Sequence, residues 1–126
     1  MSNHPTIAVA MFTISDQDSA ISFYTEKLGW EVRSDVSWGE GDQAGRWVEV
    51  APVGSTARLA LNPPMQGEPG GGSIGLETTD LPGAREKAVA QGLEIVHEMP
   101  AGGPVPAMFA INDPDGNWIW VVATEG

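Results

Sequence analysis

Short apolar runs alternate with clusters of Gly, Pro, Asn and Asp along this chain, and the runs occur twice in the same order. Ile7 to Ile14 is apolar and rich in β-formers, which predicts a strand. Ser15-Asp16 then reads as a helix cap, with Asp18 as a weak capping box. Ala20, Ile21, Phe23, Tyr24 and Leu28 recur at helical spacing, and Gly29 stops the helix. Trp30-Glu31-Val32 opens a second strand. The polar, Gly-rich stretch 35–45 predicts a loop or flap carrying Trp38. Strands over 46–51 and 57–61 complete a β-α-β-β-β order. The stretch 62–72, Asn-Pro-Pro-Met-Gln-Gly-Glu-Pro-Gly-Gly-Gly, reads as a linker.

After the linker the order returns. Ser73 to Thr78 predicts a strand, and Thr79-Asp80 caps a helix with Pro82 in its first turn. Ala84, Ala88 and Val89 supply part of the buried face, and Gly92 ends it. Strands are predicted over Leu93–Val96, over 105–111 and over 118–123. Thr79 follows Ser15 by 64 positions and Gly92 follows Gly29 by 63, half the chain in each case. One domain of two modules is expected: residues 6–61, a linker over 62–72, and residues 73–123. A single β-α-β-β-β unit cannot bury its own sheet, so the two must share a core or face each other across a cleft.

Period-2 alternation then assigns the faces. Ile119 and Val121 suit a packed core, which puts Trp118 and Trp120 on the opposite, cavity-lining face. Two indoles side by side, each with an N–H and a flat ring, favour a ligand cavity over plain core filling. By the same parity Arg58 and Ala60 line the cavity in the first half, with Ser73, Gly75 and Glu77 in the second.

Composition narrows the function. The chain has 126 residues, 17 acidic and 6 basic, for a formal net charge of −11. Such a field repels phosphate backbones, so nucleic acid is not expected as a partner, while a cationic group on a ligand is favoured. No apolar run has the length of a membrane span, and the first residues lack the basic and apolar regions of a secretory signal. No membrane partner and a cytoplasmic location are expected. With no Cys, disulfides, thiolate metal sites and a Cys nucleophile are excluded.

Ile14-Ser15-Asp16, Phe23-Tyr24-Thr25-Glu26-Lys27-Leu28-Gly29-Trp30, Leu76-Glu77-Thr78-Thr79-Asp80-Leu81 and Asp113-Pro114-Asp115-Gly116-Asn117, with the half-chain repeat, resemble the vicinal oxygen chelate superfamily. That superfamily includes glyoxalase I, extradiol dioxygenases, fosfomycin-resistance enzymes and bleomycin-resistance proteins. The resemblance implies an α+β fold of paired βαβββ modules, whose curved mixed sheets enclose a cleft, usually in a homodimer. Metal-dependent members take one ligand from each of four strands. The matching positions here are Val9, Ala60, Ser73 and Trp120. A catalytic divalent ion needs about three His or carboxylate ligands, and this set offers none. His4 stands near the N-terminus, and His97 has only Glu94 and Glu98 close by in sequence. Glu49 and Glu77 are candidates for receiving a cationic group, with a solvated strand residue as the plainer reading of each.

The chain thus resembles the metal-free, bleomycin-resistance branch, which implies no cofactor, no metal and no catalytic residue. The implied function is sequestration of an aromatic or conjugated natural product of bleomycin, mitomycin, quinone or enediyne type, giving antibiotic resistance. Candidate ligand-binding residues are Trp38, Trp47, Ala60, Ser73, Glu77, Phe109, Trp118 and Trp120. Two alternatives stand beside it. One is a glyoxalase-like lyase or dioxygenase of the same superfamily; the other is an interaction module whose tryptophans are core.

Overall fold

The computed structural model describes residues 4–124. Two four-stranded sheets carry the fold. The first contains β1 (Val9–Thr13), β2 (Glu31–Trp38), β3 (Gly45–Ala51) and β4 (Arg58–Asn62), in the order β1-β4-β3-β2. The second contains β5 (Ser73–Thr78), β6 (His97–Met99), β7 (Met108–Asn112) and β8 (Trp118–Ala123), in the order β5-β8-β7-β6. In each sheet the first strand lies parallel to the last and the other pairings are antiparallel. The repeat seen in the sequence is therefore a repeat of topology.

Each module carries one helix after its first strand. α1 (Gln17–Ser22) passes directly into a π-helical turn over Phe23–Lys27. α2 spans Leu81–Ala90. Asp16 caps α1 by accepting from the Ser19 N–H at 3.0 Å, and Asp80 caps α2 by accepting from the Gly83 N–H at 3.1 Å. Asp18 takes no part in a capping box; its carboxylate pairs with Arg46, which also holds Asp35.

Three element boundaries differ substantially from the sequence reading. The stretch 35–45 is not a flap: β2 runs on to Trp38, and only residues 39–44 turn, around a short 3-10 segment. Pairing with β3 overrides the local polarity, with Asp35 opposite Val48, Val36 opposite Trp47 and Trp38 opposite Gly45. The Trp38 ring lies over Gly45, where a side chain would collide with the indole. The second strand of the second module forms at His97–Met99, not over Leu93–Val96. Leu93 and Ile95 instead pack against the core, and the Leu93 N–H closes the end of α2 on the Ala88 carbonyl. β7 starts at Met108, three residues beyond the predicted Val105.

One hydrophobic core serves both halves. Phe12, Val48, Val50, Leu59 and Leu61 of the first sheet join Phe109, Ile111, Ile119 and Val121 of the second, with Ala20, Tyr24, Trp30 and Ala88 between them. These strand residues alternate with those on the opposite, open faces, as period 2 requires.

The halves are tied by the β7–β8 turn. Asp113 is 5% exposed. Its Oδ1 accepts from the N–H groups of Asp115 and Asn117, and its Oδ2 accepts from the Tyr24 hydroxyl and the Asn117 amide, all at 2.9–3.0 Å. The Asn117 side chain, fully buried, also donates to the Thr13 carbonyl and accepts from the Gly72 N–H. First strand, first helix, linker and turn thus meet at two side chains. Gly70 takes part through its backbone; at φ +94 and against the Asp115 carbonyl it has no room for a side chain.

Burial, with Asp113 alongside, raises the Tyr24 hydroxyl well above the ordinary tyrosine value of about 10. A raised folded-state pKa contributes stability that is fully present below the unfolded value and is lost as pH rises above it. Stability is therefore expected to fall above about pH 10. Tyr24 is the chain's only tyrosine. Tyrosinate absorbance should appear together with unfolding, and a native spectrum that titrates near the ordinary value would refute this.

Candidate functional site

The open face of the second sheet is built around Trp120. Across the sheet it lies between Gly75 of β5 and Ala110 of β7, and Ala110 is opposite His97 of β6. The two small neighbours shape the surface. Ala110 lets the His97 ring reach Trp120, with ring centres 5.5 Å apart and planes at 72°. Above Gly75 the space is open, with no heavy atom within 4 Å of where a Cβ would stand. Along β8, Trp118 stacks on Trp120 at 5.6 Å and 19°. Both indoles are half-buried, so their outer surfaces are available. Offset-stacked and edge-on ring pairs of this kind contribute roughly 0.5–1.5 kcal/mol each beyond area burial.

Ser73 and Glu77 share this face and are exposed. Ser73 is opposite Trp118 and Glu77 is opposite Val122. Glu77 stands on a surface a ligand can reach.

The open face of the first sheet is different. Ala60 lies between Met11 and Glu49. The Glu49 carboxylate is 12% exposed and already engaged: Oε2 accepts from the Trp47 indole N–H at 2.8 Å and Oε1 accepts from Arg58 at 2.7 Å. It is thus neither a solvated strand residue nor a free receptor for a cation; it fixes the Trp47 ring and the Arg58 guanidinium. Trp38 sits further out, on the edge strand, 53% exposed. Met11 and Val36 are also exposed on this face, at 61% and 54%.

Phe109 does not belong with these residues. Opposite Val121 and 2% exposed, it lies on the helix side in the shared core. His97, in contrast, belongs to the aromatic platform and was not a sequence candidate. Its only signal would have been strand parity, which the predicted strand over 93–96 hid. The open faces are shallow. Two half-open hollows, of about 670 and 380 Å³, lie on the helix side, and of the candidate residues only Phe109 and Glu77 border them.

The positions at which metal-dependent relatives hold their ion do not fit one. Val9, Ala60, Ser73 and Trp120 bring an isopropyl group, a methyl group, a hydroxyl and an indole. Among the described residues no three His, Asp or Glu side chains are grouped so as to hold a metal. No step through a metal follows from this arrangement. Among the described residues, too, no helix is long and apolar enough to cross a membrane.

The doubled β-α-β-β-β order, with open faces backed by helices, defines a small paired-module domain. The family model of the Glyoxalase/Bleomycin resistance protein/Dioxygenase superfamily matches residues 6–121, and the chain belongs to that superfamily. The uncharacterized protein YetH of Bacillus subtilis (strain 168) is 35% identical over 107 residues, covering 82% of this chain and 86% of YetH. Among solved structures, TnmS3, an antibiotic binding protein from Streptomyces sp. CB03234, superposes with a TM-score of 0.80 at 26% identity, over 99% of this chain and 100% of that one. A superfamily member from Sphaerobacter thermophilus DSM 20745 superposes with a TM-score of 0.77 at 29% identity, over 96% and 98%.

Proposed function

We propose that this protein binds and sequesters an aromatic or conjugated antibiotic, of bleomycin, mitomycin, quinone or enediyne type, and thereby gives resistance to it without a metal. The observation that carries the reading is the Trp118–Trp120–His97 platform. An indole stands at a family ligand position, beside the open space over Gly75. A planar ring system laid there gains stacking area on Trp120, and the exposed Glu77 on the same strand face favours a cationic substituent. The likeness to TnmS3, an antibiotic binding protein, supports the same reading.

A homodimer belongs to this proposal. Each open face is half a pocket, and the exposed Met11, Val36 and Trp38 leave apolar surface on the first sheet that a symmetric second copy would cover. Light scattering should give twice the 13.3 kDa subunit mass at micromolar concentration; the monomer mass would remove this part. Titration with bleomycin, mitomycin C and an anthraquinone, read by tryptophan fluorescence, tests the binding itself. At least one should quench saturably. Elemental analysis should find no stoichiometric Zn, Ni, Mn or Fe. About one bound metal per subunit would overturn the sequestration reading and favour the lyase or dioxygenase.

A further inference from the structure

The larger of these hollows, about 670 Å³, lies on the opposite side of the second sheet from Trp120. That volume is within the roughly 300–1,000 Å³ of small-molecule pockets. The repeat is broken at one side chain that borders it. Eight residues after its capping Asp16, the first helical segment places Tyr24, which is 0% exposed and fills the space beneath it. Eight residues after its capping Asp80, α2 places Ala88. The hollow beside the smaller residue is lined by the half-buried Leu28, Leu76, Ala84 and Leu93, over the core residues Phe109 and Ile119. The hollow opens to solvent, so a small molecule can enter it.

The rim says what kind. The chain has six basic residues. Its four arginines are all in ion pairs: Arg33 with Glu31, Arg46 with Asp18 and Asp35, Arg58 with Glu49, and Arg85 with Glu98. Among the described residues the two lysines are not, and both border this cavity. Lys27 donates to the Gln91 carbonyl at 3.2 Å, which holds its ammonium at the C-terminal end of α2. The Lys87 ammonium, one turn earlier on α2, makes no hydrogen bond or ion pair among the described residues. Glu26 also stands at the rim, and Glu77 borders the space from β5, where strand parity turns its side chain to the other face. Two ammonium groups against one carboxylate leave the mouth cationic on a chain of net charge −11.

We propose that this cavity is a second binding site, separate from the aromatic platform, for a small amphipathic monocarboxylate. The apolar tail lies against Leu28, Leu76, Ala84 and Leu93, and the carboxylate meets Lys87 and Lys27. The charge on the rim selects the acid over an amine of the same shape.

Calorimetry with octanoate and with octylammonium tests this. Octanoate should bind saturably at one site per chain, and octylammonium at least about tenfold more weakly, the scale of a charge-assisted contact. Ala88→Leu, which fills the hollow, should abolish octanoate binding. The surface double variant Lys27→Gln/Lys87→Gln should weaken octanoate by about tenfold or more and bring the two probes together. Trp120→Ala should leave octanoate unaffected, which separates this site from the open face. Absence of saturable octanoate binding, equal binding of octylammonium, or binding lost only on Trp120→Ala would overturn the proposal. If Ala88→Leu does not fold, the lysine variant decides.

Discussion

Asp113→Ala is expected to destabilise the protein by about 3–4 kcal/mol, because it strands two buried donors at about 1–3 kcal/mol each and frees two backbone N–H groups. The donors are the Tyr24 hydroxyl and the Asn117 amide, both held by Oδ2. A loss of this size is a large fraction of the roughly 5–15 kcal/mol that holds a domain together. Asp113→Asn should lose less, since an amide oxygen still accepts on one side. Tyr24→Phe combined with Asp113→Ala should cost less than the sum of the two, because they share one contact. Urea denaturation at neutral pH reads all three. A loss under about 1 kcal/mol for Asp113→Ala would show that the turn, not the network, fixes the two halves.

Trp120→Ala should weaken binding of a conjugated ligand by at least about 2 kcal/mol, the scale of an aromatic anchor in an interface. That is roughly thirtyfold in dissociation constant. Trp120 loses contacts with Trp118 and His97 on truncation, but its outer surface is open, so stability should fall by less than the roughly 3–5 kcal/mol of a fully packed Trp. His97→Ala should weaken the same ligand by a smaller factor, because its ring meets Trp120 edge-on. Fluorescence titration alongside urea melts separates the two effects. A Trp120→Ala protein that binds normally but unfolds easily would assign Trp120 to the core and remove the platform from the proposed function.

Much of the architecture was legible because it rests on local chemistry. Asp16 and Asp80 cap helices through their own nearby N–H groups, and both were readable as caps. The parity of Ile119 and Val121 against Trp118 and Trp120 held, since alternation is a property of any strand. Boundaries failed where a distant partner decided them. Asp35-Val36-Ser37-Trp38 is polar enough to be a loop, yet β3 lies alongside and draws it into the sheet. Leu93 to Val96 is apolar enough to be a strand, yet the core takes Leu93 and Ile95, and pairing with β7 begins at His97.

The site divides in the same way. Sequence alone determined the doubled βαβββ order and the pairing of two indoles on one face. Both depend on residue identity and spacing within a segment. Only the tertiary structure decided that Glu49 is consumed by Trp47 and Arg58, that Phe109 faces the helices, and that His97 completes the aromatic platform. It alone showed that Asp113 and Asn117 do more than turn the chain, joining segments up to 104 positions apart. The reason is physical: strand parity, caps and turns are set by neighbours within a few residues, whereas a side chain's partner across a sheet is set by register, which no local pattern contains.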